Sequence, residues 1–307
     1  MHQLRAHLLA SLPLVAVFVL LQVALPDPTL LWVNALAQAL LFVGVALLPA
    51  WRTGRMSYVD IAWPLGLALI GLQVLLLGDP SNLRTLVIGL LYLIAGGRMG
   101  VMALVGWRHG HFQRELPRYE YQRLRWQRRG WNERAALLFE TASQGLANMS
   151  VLALPALLQA ANPAPGLSAL ELAGHALWLA ALVFENVADT QKARFGARMR
   201  SAGQKNAHCD VGLWRYSRHP NYFGEWMVWN ALALSSLPSV LVLAAAGPVW
   251  RGPLLAAALA YMSWVMYGVL THYSGAKPAE HYSVLKRPGY AEYQRRTSMF
   301  FPRRPLD

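Results

Sequence analysis

The sequence predicts an all-α, polytopic membrane bundle, and three observations predict it. Of 307 residues, 55% are apolar or aromatic of the AVILMFWYC set and only 14% are charged, against about 25% charge in an ordinary soluble domain. The apolar residues fall in runs of membrane-spanning length, and the excess of basic residues, net +13, falls between those runs. A nucleic-acid-binding protein would gather such charge on a water-exposed domain, so nucleic acid is not an expected partner. The single cysteine, Cys209, excludes a disulfide framework and a multi-cysteine zinc site. The aromatic content is the opposite of a disordered composition.

A helix needs about 20 apolar residues to cross the hydrocarbon. Eight segments qualify, at 8–25, 30–50, 58–78, 84–107, 136–161, 167–190, 222–246 and 253–272. All should be helical, because lipid offers the backbone no hydrogen-bonding partner. Segment 8–25 also has the short basic start and apolar run of a signal peptide, without a clear A-x-A site after it; a retained helix is the preferred reading. No internal repeat is visible. The chain reads as one membrane domain, with helices in 1–50 followed by a core over 51–307.

Charge orients the bundle. With the N-terminus inside, the inside segments 1–7, 51–57, 108–135, 191–221 and 273–307 carry 25 of the 28 Lys and Arg. The opposite loops are short and turn-like: PDPT, GDPSNL, NPAPG and GPVWRG. This asymmetry places both termini in the cytosol. It also makes anionic headgroups the ordinary partners of the basic loops. Arg84, Arg98 and Arg251 are the exceptions.

Polar residues inside spans are costly and suggest either a buried pair or a function. Asp60 lies one turn into the third span, where the helix dipole alone would favour it. Arg98 sits in IAGGRMG, where Gly96 and Gly97 let another helix or a ligand approach; its guanidinium needs a partner, with Asp60 or Glu140 as candidates. Glu140, Gln144 and Asn148 share one face of the fifth span at i, i+4, i+8, either as interhelical glue or as a ligand lining. Glu185, Asn186, Asp189 and Lys192 end the sixth span. A basic stretch with Arg194, Arg198, Arg200 and Lys205 follows, then GLWRYSRHPNYFGEWMVW at 212–229, in which Asn221, Glu225 and Trp229 again share a face. Two polar helix ends thus frame a basic loop, suited to an anionic ligand bearing an aromatic ring. His219 has no second histidine at metal-ligand spacing, so zinc is not expected. No G-x-G-x-x-G after a strand, P-loop, Cys-x-x-Cys or G-x-S-x-G is present.

The segment GLWRYSRHPNYFGEWMVW resembles the C-terminal signature of the steroid 5-alpha-reductase-like membrane proteins. The chain over residues 35 to 305 is most similar to the bacterial DUF1295 branch of that superfamily. The supporting segments, in order, are VDIAWPLGL at 59–67, GGRMG at 96–100, ELPRYEYQR at 115–123, ENVADTQKARF at 185–195 and RPGYAEYQRRTSMFFP at 287–302. RHPNYFGE is the most specific of them.

The superfamily contains NADPH-dependent steroid and sterol reductases and S-adenosylmethionine-dependent isoprenylcysteine carboxyl methyltransferases. The resemblance therefore implies a cofactor at the cytosolic side of the C-terminal helices and a lipid-soluble substrate admitted from the membrane lipids. QKxxF with NYFGE looks more like the reductases and implies NADPH, held by Asp189 and Asn221, with Lys192, Arg194, Arg218, His219, Tyr222 and Glu225 as further candidates. Tyr290 and Tyr293 match a tail motif that closes over the cofactor. Reduction of an enone needs a donor aimed at the developing oxyanion, with Asp60 (if protonated), Arg98 or Glu140 as candidates. Two other functions stay open. One is an S-adenosylmethionine-dependent methyltransferase, which Glu280 also suits; the other is a non-enzymatic lipid-binding protein in which the polar stripes are packing glue.

Overall fold

The computed structural model describes residues 2–204 and 206–306; Lys205 of the basic stretch lies outside them. Every regular element among these residues is helical. They are α1 (His2–Ala24), α2 (Thr29–Thr53, with a π-turn at Val43–Leu47), α3 (Val59–Leu77), α4 (Leu83–Arg108), α5 (Pro117–Arg128), α6 (Glu133–Met149), α7 (Leu154–Ala160), α8 (Ala169–Ser201), α9 (Pro220–Ala245), α10 (Arg251–Gly268), α11 (Ala276–Lys286) and α12 (Tyr290–Arg296). Among the described residues, seven helical stretches are long and apolar enough to span a membrane: α1 to α4, α8, α9 and Arg251–Lys286.

The expected fifth span at 136–161 is not a continuous helix. It breaks after Met149 and resumes at Leu154. Pro155 accounts for this: inside a helix its ring would clash with the carbonyl of Val151 and it has no N–H to give, whereas at a helix start both costs vanish. The break frees backbone carbonyls, and side chains answer them. Asn34 Nδ2 donates to the carbonyls of Asn148 and Met149 at 3.2 and 3.4 Å, and Tyr92 Oη donates to that of Leu152 at 2.6 Å. Residues 150–159 are all buried, as irregular backbone at membrane depth must be. The eight-span expectation thus becomes seven long helices and one broken, enclosed pair.

The chain divides into two compact units. The first comprises 1–172 and 235–262. Its tightest pairing is α3 on α4, through glycine. A Cβ on Gly71 would lie 2.5 Å from the carbonyl oxygen of Gly89, and one on Gly96 would lie 2.3 Å from the amide of Ala68. Small residues here let the two backbones touch, the usual source of helix packing in lipid. The same unit buries Arg84. Its guanidinium binds both oxygens of Glu171 and the carbonyls of Ala164 and Gly166, with 2% and 0% of the two side chains exposed. Arg84 broke the charge pattern of the sequence; its charge is cancelled inside the protein. Gln159 donates to Ser235 and Ser236, and Asn162 to Ser239, which ties α7 to α9.

The second unit comprises 173–234 and 263–307. The C-terminal tail is stitched to the segment before α9. Arg218 N–H donates to the carbonyl of Ser298 at 2.8 Å, Ser217 Oγ to that of Phe300 at 2.9 Å, and Arg303 N–H to that of Tyr216 at 3.0 Å. Gly224 lies against Glu185, where a Cβ would be 2.9 Å from the glutamate Cβ, so α8 and α9 approach closely at their polar ends.

Gly71→Val should lower the melting temperature in detergent, costing about 1–3 kcal/mol for overpacking against backbone that cannot retreat. Gly97→Ala, where a Cβ meets nothing within 4 Å, should leave the melting temperature unchanged or raise it slightly.

Candidate functional site

In the first unit, two of the three candidate polarising residues converge on α5. This short helix starts at Pro117 and buries Tyr119, Gln122 and Trp126. Those positions recur at helical spacing, while its arginines lie on the other faces. Asp60 on α3 accepts from Tyr119 Oη at 2.5 Å and pairs with Arg118. Glu140 on α6 accepts from Gln122 Nε2 at 2.9 and 3.1 Å and from Trp126 Nε1 at 2.6 Å. Asp60 therefore takes Arg118, not Arg98, as its cation. Glu115 fastens the same region by accepting the backbone N–H groups of Met56 and Ser57 ahead of α3. Arg98 is half-buried on α4, between Gly96 and Gly100, which pack on α3. Of the polar stripe on α6, Asn148 is fully buried and donates to the carbonyl of Trp63 at 3.1 Å and to Gln38 Oε1 at 3.4 Å. Asn34 and Gln38, its neighbours from α2, were not singled out in the sequence; two buried amides four residues apart in an apolar run were the available signal.

In the second unit, the cofactor candidates cluster. Asn221, one residue into α9, donates from Nδ2 to Asp189 Oδ1 on α8 at 3.0 Å. A carboxylate can only accept, so this bond fixes which end of the amide is which. Asn221 Oδ1 then lies buried with no donor within reach among the described residues. Lys192 lies one turn further along α8, its ammonium 4.3 Å from the ring centre of Trp214. Trp214 is held in turn by the carbonyl of Ala188 at 2.8 Å, and Gln191 Oε1 receives the N–H of Leu213 at 2.8 Å. Arg194 is exposed; Tyr222 and Glu225 are half-buried on the first turns of α9.

Arg218 and His219 face a different partner. Arg218 binds Glu280 in a two-pronged ion pair, Nε to Oε1 at 2.6 Å and an Nη to Oε2 at 3.1 Å. Its remaining Nη donates to the carbonyls of Gln294, at 2.9 Å, and Thr297. His219 Nε2 lies 3.1 Å from Glu280 Oε1, and Gln294 Nε2 donates to Oε2 at 2.8 Å. Glu280 is thus the node of a buried polar network joining α11, α12 and the start of α9. The sequence linked Glu280 only to the methyltransferase alternative. Burial holds the His219 imidazole below its ordinary 6.5, against the opposing pull of Glu280; the neutral ring lies parallel to Tyr222, 5.2 Å between centres.

Tyr290 and Tyr293 are buried in the tail. Burial, then the Glu280 charge, pushes the Tyr290 hydroxyl up to about 12. Burial likewise raises Tyr293, whose Oη donates to the carbonyl of Trp214. Beside Tyr293 opens a cavity of about 560 Å³, which His208, Arg215 and Arg296 also line.

An all-α chain with, among the described residues, seven apolar helices of spanning length is an integral membrane protein. Within that class the chain belongs to the DUF1295 family, described as proteins of unknown function, whose family model matches residues 47–297. No curated protein and no solved structure matches the chain.

Glu280→Ala should strand the buried Arg218 and cost about 3–5 kcal/mol, read as a lower melting temperature and faster alkylation of the buried Cys209; Glu280→Gln, which still accepts, should lose less. Because folding lowers the His219 pKa, its neutral ring stabilises the fold above pH 6.5, and that contribution is lost as pH falls through the folded value. His219→Gln should therefore flatten the decline of melting temperature on acidification below pH 6.5.

Proposed function

We propose that this chain is an NADPH-dependent membrane reductase acting on a conjugated double bond in a steroid-like or isoprenoid-like lipid, with its cofactor site facing the cytosol of a bacterial cell. The observation that carries this reading is Asn221 Oδ1. It is a buried acceptor with no donor among the described residues, on an amide bonded to Asp189, which stands one turn before Lys192 on α8. A buried acceptor of this kind costs stability unless something supplies an N–H, and a nicotinamide carboxamide offers one. NADPH, when bound, supplies the hydride.

The residues then divide by task. Asp189 orients Asn221, and Asn221 Oδ1 receives the amide N–H. Lys192 and Arg194 meet phosphate oxygens, which their charge favours. Arg218 and His219, fully engaged by Glu280 and the tail carbonyls, brace the segment that leads into Asn221 and Tyr222. Tyr290 and Tyr293 hold the tail closed from within. Of the polarising candidates, Asp60 and Glu140 already accept from Tyr119, Arg118, Gln122 and Trp126, so Arg98, a permanent donor, is the proposed electrophile.

Binding of S-adenosylmethionine is the second reading, because the adenine amine also presents an N–H to Asn221 Oδ1. Titration of the detergent-purified protein with each cofactor, followed by tryptophan quenching, separates the two. NADPH is expected to bind, and Asn221→Ala to weaken it at least about tenfold. Binding of S-adenosylmethionine alone would overturn the reductase. Arg98→Lys should leave NADPH affinity unchanged while lowering the single-turnover rate with a lipid enone.

A further inference from the structure

At one rim of the first unit, the start of α1 and the end of α2 flank the start of α6. Asn132, which caps α6, exchanges two hydrogen bonds with Gln3 on the first turn of α1, at 2.9 and 3.1 Å. His7, one turn on, lies against the rings of Trp131 and Phe139, 4.6 and 4.3 Å between centres. On the other side, Arg134 on the first turn of α6 donates to the carbonyl of Trp51, on the last turn of α2, at 3.3 Å.

Two arginines of this rim lie over aromatic rings. The Arg134 guanidinium is 5.6 Å from the ring centre of Trp51, and that of Arg129 is 4.8 Å from the ring centre of Trp131. Stacking engages the face of a guanidinium and leaves its edge N–H groups for another partner, in the fork that suits a phosphate. Arg52 and Arg128 are their neighbours in the chain, and all four arginines are exposed. Among the described residues, none of the four has a carboxylate within ion-pair distance. The acids of the same region are committed or remote. Glu133 lies 3.6 Å from Arg123 and accepts from Gln127. Glu115 binds Arg123 and the amides ahead of α3, and Asp60 pairs with Arg118. Glu120 stands at the opposite end of α5 from Arg128. Asp27, in the opposite loop, is the only acid in residues 1–53.

Apolar surface adjoins this charge. Leu48, one turn before Trp51 on α2, is exposed, as are Leu4 and Leu8 on α1. On helices of spanning length such side chains meet acyl chains, and a half-exposed tryptophan at a helix end marks the membrane boundary. A soluble acidic partner would meet the arginines alone. A molecule that meets both surfaces carries a phosphate and hydrocarbon together. We infer that this rim binds one anionic phospholipid, Arg129 and Arg134 taking the phosphate and Trp51 with Leu48 taking the upper part of a chain. The lipid then bridges the turn before α6 and the end of α2.

The test is native mass spectrometry of the full-length, delipidated protein in a neutral detergent, titrated with phosphatidylglycerol and with phosphatidylcholine. It is repeated on Arg129→Gln/Arg134→Gln and on Arg303→Gln/Arg304→Gln, an equal loss of charge from exposed arginines of the tail. One phosphatidylglycerol is expected to bind in preference to phosphatidylcholine. Arg129→Gln/Arg134→Gln should weaken it about 25-fold, about fivefold for each arginine, and the tail variant should leave it unchanged. A melting curve checks folding; if the first variant does not fold, Arg52→Gln/Arg128→Gln, which removes no stacked arginine, takes its place with the same expectation. Equal affinity for the two lipids would overturn the inference. So would phosphatidylglycerol binding that neither rim variant weakens, or that the tail variant weakens as much, since either result assigns the effect to the overall charge of the protein. Displacement of phosphatidylglycerol by glycerol 3-phosphate at equal concentration would also overturn it, by assigning the arginines to a soluble phosphate. No lipid probe or rim variant involves the residues assigned to NADPH, so the reductase stands or falls separately.

Discussion

Away from water, a polar group must find its partner inside the protein, and that constraint governs both units. It explains why Asn34 reaches from α2 to the carbonyls left by the break after Met149, and why Arg84 is enclosed by Glu171 and two loop carbonyls. It also explains why Glu280 gathers Arg218, His219 and Gln294 at once. In each case a buried group that would be costly alone becomes a fixed joint. Helices that slide easily against one another in lipid are thereby held in one register.

Glu280 shows how such a joint acts on residues it does not touch. By binding Arg218 it ties the tail to the segment before α9, and through His219 it sets the ring that lies parallel to Tyr222. Asn221 stands between those residues. Its amide is oriented by Asp189 from α8, and Gly224 lets α8 and α9 come together just beyond it. Asn221 Oδ1, a buried acceptor with no donor among the described residues, thus sits on an amide that its neighbours hold in place. A ligand that supplies an N–H there meets a preorganised partner.

The seven long helices were legible because length and apolarity suffice to identify a span in lipid. The break at 150–153 was not, since VLALPALL at 151–158 is apolar throughout and only Pro155 hinted at it. The stripe of Glu140, Gln144 and Asn148 showed a face that must avoid lipid. It did not reveal that Glu140 binds Gln122 and Trp126, because α5 reads as part of a basic loop. Arg218 and Glu280 are 62 residues apart, a separation no helical period connects, so the sequence could count Arg218 as a phosphate ligand while the structure spends it on a carboxylate. The Asp189–Asn221 pairing came closest to being read directly: both stand at the polar ends of spans that flank one loop.

The break before Pro155 has a consequence for the order of assembly. α6 has 17 residues and α7 has 7, which at 1.5 Å per residue gives about 25 and 10 Å. Neither reaches across a hydrocarbon layer about 30 Å thick, and the bared carbonyls between them cannot face lipid. The groups that answer those carbonyls, Asn34 and Tyr92, stand on α2 and α4, which leave the ribosome first. The broken pair therefore enters a cradle already made, whereas Gln159 waits for Ser235 and Ser236, still to be synthesised. It is a keystone in time as well as in place: late to settle against the helices before it, and early enough to receive the one that follows.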